Sequence, residues 1–189
     1  MIFFRPPLTL TAITVSLLLL AGCSFDPSKS EDKANVVQSM AQSFAQKHPD
    51  VAQIGPGQLK SWKQLTNDQF TLLIVDVRPN EERVVSTIPG AISLDDFIQL
   101  RLDRSAPEEE VRIVFYDTIG LRSTNTWLDW GQRLQFLHSN IRAYNLLGGI
   151  LAWTHEQGEL RNNEGVETWR VHIGSEAWNL LPKNYQEVF

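Results

Sequence analysis

Apolar residues recur along this chain in short runs, separated by polar stretches that carry glycine or proline. "FTLLIVDVR" (Phe70 to Arg78) predicts a buried strand by its continuous β-branched and apolar run, and "VRIVFY" (Val111 to Tyr116) predicts another. "GAISL" (Gly90 to Leu94) and "RAYNLLGG" (Arg142 to Gly149) predict two further strands, the second closing on two glycines. Helical spacing fills the intervals. "ANVVQSMAQSFAQKH" sets Val36, Val37, Met40 and Phe44 on one face, and the turn signals of "IGPGQLKSWKQL" lead into a short helix. Asp95 to Leu102 reads as helical, and Ser123 to Leu137 is the longest helix, with Trp127, Trp130, Leu134 and Leu137 on one face. "ILAWTHEQ", stopped by Gly158, is the last helix of the alternation. Strands alternating with helices through short loops specify an α/β fold with a mainly parallel central sheet flanked by helices.

The tail changes period. In "TWRVHI" Trp169, Val171 and Ile173 alternate with Arg170 and His172, as in a half-buried strand, and "SEAWNLL" predicts one or two helical turns ended by Pro182. Trp169, Trp178, Tyr185 and Phe189 are expected to pack on the domain.

The N-terminus follows a different logic. Arg5 precedes an apolar stretch from Leu8 to Leu20, too short to span a bilayer comfortably and of the length of a signal h-region. Its end, Leu20-Ala21-Gly22-Cys23, resembles a bacterial lipobox. That resemblance implies a signal peptide over 1–22, diacylglyceryl attachment to Cys23, cleavage before it, and palmitate-type acylation of the new amino group. Several acyl chains suffice for stable anchoring. The polar "SFDPSKSEDK" then reads as a tether, giving a division into signal 1–22, tether 23–33, N-terminal helix 34–53, α/β unit 54–160 and C-terminal extension 161–189. Ser24 after the cysteine favours the outer membrane, facing the periplasm, in a Gram-negative cell. The expected partners are the membrane, through the lipid on Cys23, and an envelope protein.

Composition narrows the chemistry. A length of 189 residues suits one domain with appendages, and 42% apolar residues are enough for a packed core. The net charge of −5 argues against nucleic acid as a partner. Cys23 is the only cysteine, so disulfides, zinc-thiolate sites and cysteine nucleophiles are excluded from the body of the chain. His48, His138, His155 and His172 share no metal-ligand spacing, and neither a metal nor a cofactor is expected.

Four segments, in order, carry a resemblance to the rhodanese domain over about Ile54 to Leu160. They are "DVRPNEERVVSTIPGAI", with Asp76, Arg78, Glu82, Pro89, Gly90 and Ala91 in register; "VFYDTIGLRS", with Gly120, Arg122 and Ser123; "YNLLGGILAW", with Gly148, Gly149 and Trp153; and "GEL". The resemblance implies a rhodanese-like fold whose active-site loop is Asp117, Thr118, Ile119, Gly120, Leu121 and Arg122. Its length is that of the sulfurtransferases, without the longer loop of the related phosphatases. Active members carry at the position of Asp117 a cysteine that takes a sulfur atom from thiosulfate and holds it as a persulfide. The usual Gly-His before Ile-Pro-Gly is here Ser86-Thr87.

An aspartate in such a loop is a resident anion. The backbone N–H groups and helix start that would lower a thiol pKa also favour a carboxylate, so Asp117 is expected to stay ionised, meet Arg122 and weaken oxyanion binding. The expectation is a catalytically silent binding or scaffolding module. Sulfur transfer with a thiol supplied by a partner, a carboxylate-dependent hydrolase and a sensor of small anions stay open. Asp95 and Asp96 are the carboxylates that folding could bring to the loop. Asp76 and Arg78 read as a structural ion pair, Gly148-Gly149 as a tight turn, and Glu108 to Glu110 as a solvated face.

Overall fold

The structure, a computed structural model, describes residues 30–65, 69–103 and 107–189. Cys23, the signal segment and most of the expected tether lie outside the described residues. Among those described, no helix is long and apolar enough to cross a membrane.

Five parallel strands form the central sheet in the order β1-β5-β4-β2-β3. They are β1 (Gln53–Ile54), β2 (Thr71–Asp76), β3 (Ala91–Ser93), β4 (Val111–Tyr116) and β5 (Ile141–Leu146). The central strand β4 sets the register, pairing Ile74 with Val114 on one side and Ala143 with Ile113 on the other. Its apolar run, broken only by the half-buried Arg112, is explained by burial on both faces. Val114 and Tyr116 join Ile74, Leu146, Leu59 and Trp153 in one core, while Ile113 and Phe115 join Val75, Phe97, Trp127 and Leu134 in the other.

Helices α1 (Ser30–Lys47), α2 (Pro56–Gln64) and α7 (Gly149–His155) contribute to the first core. The second is filled by α4 (Leu94–Gln99) and by the long helical stretch made of α5 (Leu121–Thr126), a π turn (Trp127–Gly131) and α6 (Gln132–Leu137). A four-residue helix, α3 (Asn80–Arg83), follows β2.

Several boundaries differ from the sequence reading. Helix α1 begins at Ser30, inside the expected tether, because Glu31 and Asp32 place acidic charge in its first turn. It ends at Lys47, directly before His48 and Pro49, and Val51 packs in the second core. Strand β1 was not foreseen, since two residues carry no period. It exists through its pairing with β5, where the Asn145 and Leu147 amides donate to the Ala52 and Ile54 carbonyls at 2.8 and 2.9 Å. The π turn inserts a residue into the helical spacing, so Trp127 and Leu134 are buried while Leu137 is 44% exposed. Gly131 permits the close approach there, because a Cβ would lie 2.9 Å from that of Ala143.

The tail belongs to the same core. Val171, Ile173, Leu181 and Tyr185 are buried in the first cluster, and the Tyr185 hydroxyl donates to the Gly158 carbonyl at 2.8 Å. Strands β6 (Arg170–His172) and β7 (Gln186–Val188) pair in parallel as a separate two-stranded sheet. The expected aromatic packing is half right: Tyr185 is buried and Trp178 is half-buried on the core, but Trp169 is 47% and Phe189 59% exposed. Trp169 instead tilts against Tyr185, with ring centroids 5.1 Å apart. The helical turn shrinks to a 3-10 turn at Glu176–Trp178.

Candidate functional site

Strand β4 delivers its carboxyl end to the rim of the sheet, the usual place for a site in a parallel α/β fold. The chain there must reverse into α5 within four residues, and Gly120 does so with φ at +99°, a region that favours glycine. The Gly148-Gly149 turn clamps the loop from behind. The amides of Ile150 and Leu151 donate to the Asp117 and Thr118 carbonyls at 2.8 and 3.2 Å. A Cβ on Gly149 would fall 2.3 Å from the Asp117 carbonyl oxygen, so only glycine allows this contact.

Within the clamp the Asp117 side chain folds back into its own loop and is 1% exposed. Oδ1 accepts from the Ile119 amide at 3.1 Å and from the Gly120 amide. Oδ2 accepts from the Arg122 amide at 2.7 Å and from Arg122 Nε at 3.4 Å. The loop's inward-facing donors thus converge on an anion that the chain itself supplies. Ser123, expected at the helix start, lies inside the first turn, with its hydroxyl donating to Asn145 Oδ1 at 2.6 Å.

Arg122 is held from two sides. Its Nη1 and Nη2 form a bidentate pair with Glu82 at 2.9 and 3.0 Å, and Nη2 also donates to Thr118 Oγ1 at 3.0 Å. Burial opposes its charge, but the hydrogen bonds and charge of Glu82, followed by those of Asp117, raise the guanidinium pKa. Its side chain is still 42% exposed, against 6% for Glu82 and 2% for Asp117.

A second pair lies behind Glu82. Arg78 Nε and Nη2 donate to Asp76 at 2.9 and 2.7 Å, and Nη2 also reaches the Ser86 carbonyl at 2.6 Å. The Tyr116 hydroxyl donates to Asp76 Oδ2 at 2.6 Å and accepts from the Ile88 amide at 3.0 Å. Burial, then the neighbouring Asp76 charge, pushes Tyr116 well above the ordinary phenol range. Burial works against the Arg78 charge and Asp76 more than restores it. With Arg78 Nε 4.0 Å from Glu82 Oε2, the groups form an alternating row, Asp76, Arg78, Glu82, Arg122 and Asp117.

A cavity of about 290 Å³ opens above the loop. Asp117, Thr118, Ile119, Leu121 and Arg122 line it together with Glu82, and the tail closes one side with Ile173, Gly174, Ser175 and Trp178. Gly120 faces inward, against Asn145 and Leu146. Asp95 and Asp96 do not reach it; they start α4, where Asp96 bonds with Ser93. The carboxylate that folding brings to the loop is Glu82, from a helix too short to show a period. Asn145 and the tail wall are likewise products of packing. Among the described residues no three His, Cys, Asp or Glu side chains are grouped to hold a metal ion.

No acceptor on Asp117 faces the cavity without a donor, and the nearest guanidinium is neutralised by two carboxylates. An anion about 4 Å from Asp117 would meet roughly 4 kcal/mol of gross repulsion at an effective dielectric of 20.

Comparison with known proteins places this geometry. The model of the rhodanese-like domain matches residues 56–156. Among solved structures, the chain is similar to BH2092 protein from Bacillus halodurans at 20% identity, covering 67% of this chain and 87% of that one, with a TM-score of 0.43. It is similar to thiosulfate sulfurtransferase from Pseudomonas aeruginosa at 17% identity, covering 69% of this chain but only 23% of that one, with a TM-score of 0.48. It is similar to SSP1007 from Staphylococcus saprophyticus at 24% identity, over 58% of this chain and 99% of that one, with a TM-score of 0.42. No curated protein matches. The matched segment takes in β2 to β5, the Asp117 loop and the glycine clamp, and by it this chain belongs to the rhodanese-like domain family.

Proposed function

We propose that the chain is a non-catalytic rhodanese-like binding module, held at the cell envelope by lipid on Cys23. The observation that carries the reading is the Asp117 carboxylate, which takes up the donors of its own loop at the position where the resemblance places a sulfur-carrying cysteine. A carboxylate cannot form a persulfide, and Cys23, the only thiol in the sequence, is assigned to the lipid. Nor is Asp117 a good nucleophile, since both oxygens are engaged by hydrogen bonds that would have to break first. What is left is a rigid, clamped loop under a shallow cavity, a surface for recognition.

Sulfur transfer from thiosulfate to cyanide tests the catalytic half of the reading. The full-length chain in detergent is expected to give the rate of the uncatalysed blank, and Asp117→Cys to rise clearly above it, because the cradle would then hold a thiolate. Turnover by the unaltered chain would end the proposal. For the anchor, mass spectrometry of membrane-extracted protein is expected to find Cys23 as an acylated N-terminus. Cys23→Ser is expected to leave the N-terminal segment uncleaved and unacylated. An unmodified Cys23 in the membrane fraction would remove the lipid from the reading.

A further inference from the structure

The tail wall of the cavity is fastened unevenly. At its two ends the chain is firmly packed, with Ile173 buried on one side and Leu181 and Pro182 on the other. Between them Gly174 turns out of β6 with φ at +78°, and Ser175, Glu176, Ala177 and Asn179 are exposed. The hydrogen bonds of this stretch are local. The Trp178 and Asn179 amides donate to the Ser175 and Glu176 carbonyls, both at 3.0 Å, and the Gly174 amide donates to His172 Nδ1 at 3.2 Å. Among the described residues, a single hydrogen bond ties residues 174–180 to anything outside the tail. It joins His155 Nε2, at the end of α7, to the Leu180 carbonyl at 2.7 Å.

We propose that residues 174–180 form a strap that lifts off the cavity as a unit, pivoting between Ile173 and Leu181, and that the bond from His155 to the Leu180 carbonyl is its latch. The inference goes beyond the binding reading, since it concerns access to the Asp117 loop whatever enters. Segments with few buried apolar contacts and an exposed backbone open locally, at a cost below that of global unfolding. Here the closing contacts are the latch and the half-buried side chains of Trp178 and Leu180. The latch is also sensitive to acid. A carbonyl only accepts, so the neutral imidazole carries its proton on Nε2 and would take a second on Nδ1. Burial lowers the His155 pKa, the Leu180 carbonyl opposes that shift, and the charge of Lys33 on α1 adds to it. The exposed Glu156 follows His155 in the chain, and its carbonyl holds Lys60 of α2. The closed strap thus binds a proton less well than the open one, whose imidazole titrates near the ordinary value of about 6.5. The latch is at full strength above that pH and weakens as pH falls below it.

Proteolysis reads the open population when opening and closing are fast relative to cleavage. A glutamyl endopeptidase acting on the full-length chain in detergent can cut after Glu176, within the strap, and after Glu164, an exposed residue outside it. Mass spectrometry of the first products gives the ratio of the two cuts. His155→Phe keeps a ring but no donor, and is expected to raise the Glu176-to-Glu164 ratio about five-fold near pH 7.5, the worth of one hydrogen bond. In the unaltered chain the ratio is expected to climb about three-fold from about pH 7.5 to 5.5. His155→Gln can donate at either pH but does not titrate, so its ratio is expected to stay low and level. That variant decides the matter if His155→Phe does not fold. The inference is overturned if His155→Phe leaves the ratio unchanged, or if both cuts rise together, as in unfolding of the whole domain. It is equally overturned if the climb in acid is absent from the unaltered chain or survives in His155→Gln. None of these outcomes alters the sulfur-transfer test, which reads the Asp117 position alone.

Discussion

Two carboxylate–arginine pairs sit at the carboxyl ends of adjacent strands, and they differ in one respect that decides their roles. Asp76 is the last residue of β2 and Arg78 lies just beyond it, and both side chains are closed off, at 1% and 0% exposure. Asp117 and Arg122 follow β4, with the carboxylate as deeply buried but the arginine 42% exposed. The first pair is bonded to the Tyr116 hydroxyl and the Ser86 carbonyl, entirely within the protein. The second keeps an open edge, and that edge is the floor of the cavity. The same chemistry thus fastens the sheet in one place and presents a surface in the other, and Glu82, which touches both arginines, joins the two.

Removing each arginine in turn tests the contrast most directly. Arg78→Met leaves Asp76 buried with its charge uncompensated, a loss of about 3–5 kcal/mol that leaves little of a typical domain's stability. Arg122→Met also strands carboxylates, but water can enter where the guanidinium was, and Asp117 retains its backbone donors. A loss of about 1–2 kcal/mol is expected there. Urea unfolding at constant m measures both. Equal losses would mean that the open edge makes no energetic difference and that the two pairs are one structural unit.

The same contrast explains what was legible in the sequence. Strand β4 appears with its ends as read, Val111 to Tyr116, because a strand buried on both faces is apolar at nearly every position, here all but the half-buried Arg112. The loop Asp117 to Arg122 could be placed because it follows that strand directly. The partner of Arg122 could not be, because Glu82 is 40 positions away and reaches it only through the packing of α3. The tail wall was hidden for a similar reason. Val171 and Ile173 alternate as a strand should, but nothing local says that the next residues, Gly174 and Ser175, edge the cavity. Two-residue β1 and the π turn lie below the length at which hydrophobic period carries information.

Alkaline pH should act on the closed cluster through Tyr116. Burial, then the Asp76 charge, raises its pKa in the folded chain, and Tyr185 on the tail is pushed up to about 12, by burial first and Glu167 second. An acid whose folded pKa is raised contributes stability that is complete below its unfolded value, near 10, and is lost as pH climbs toward the folded value. Melting temperature is therefore expected to fall steadily from about pH 10 toward pH 12. In Tyr116→Phe the starting value is lower, through the lost bonds to Asp76 and Ile88, but the decline is shallower by one proton's share. An unchanged slope would show that Tyr116 is free to ionise and that the cluster is not closed.

The smallest effect is expected where the closed cluster is imperfect. Ser86 Oγ is fully buried with no hydrogen-bond partner, and the same is true of Arg78 Nη1, whose neighbouring nitrogen Nη2 holds the Ser86 carbonyl. An unsatisfied buried hydroxyl has lost its bonds to water and gained none, so Ser86→Ala should be neutral or raise stability by up to about 1 kcal/mol. A loss of about that size would instead mean that an ordered water bridges the hydroxyl and Arg78 Nη1, since a buried water needs at least two polar partners. Repeating the substitution in Arg78→Lys separates the outcomes. A bridged hydroxyl would couple to the arginine and give non-additive changes, while an orphan would add. The sign of a sub-kilocalorie change at Ser86 thus decides whether the inner pair is closed by protein alone, as its contrast with the open Arg122 edge requires.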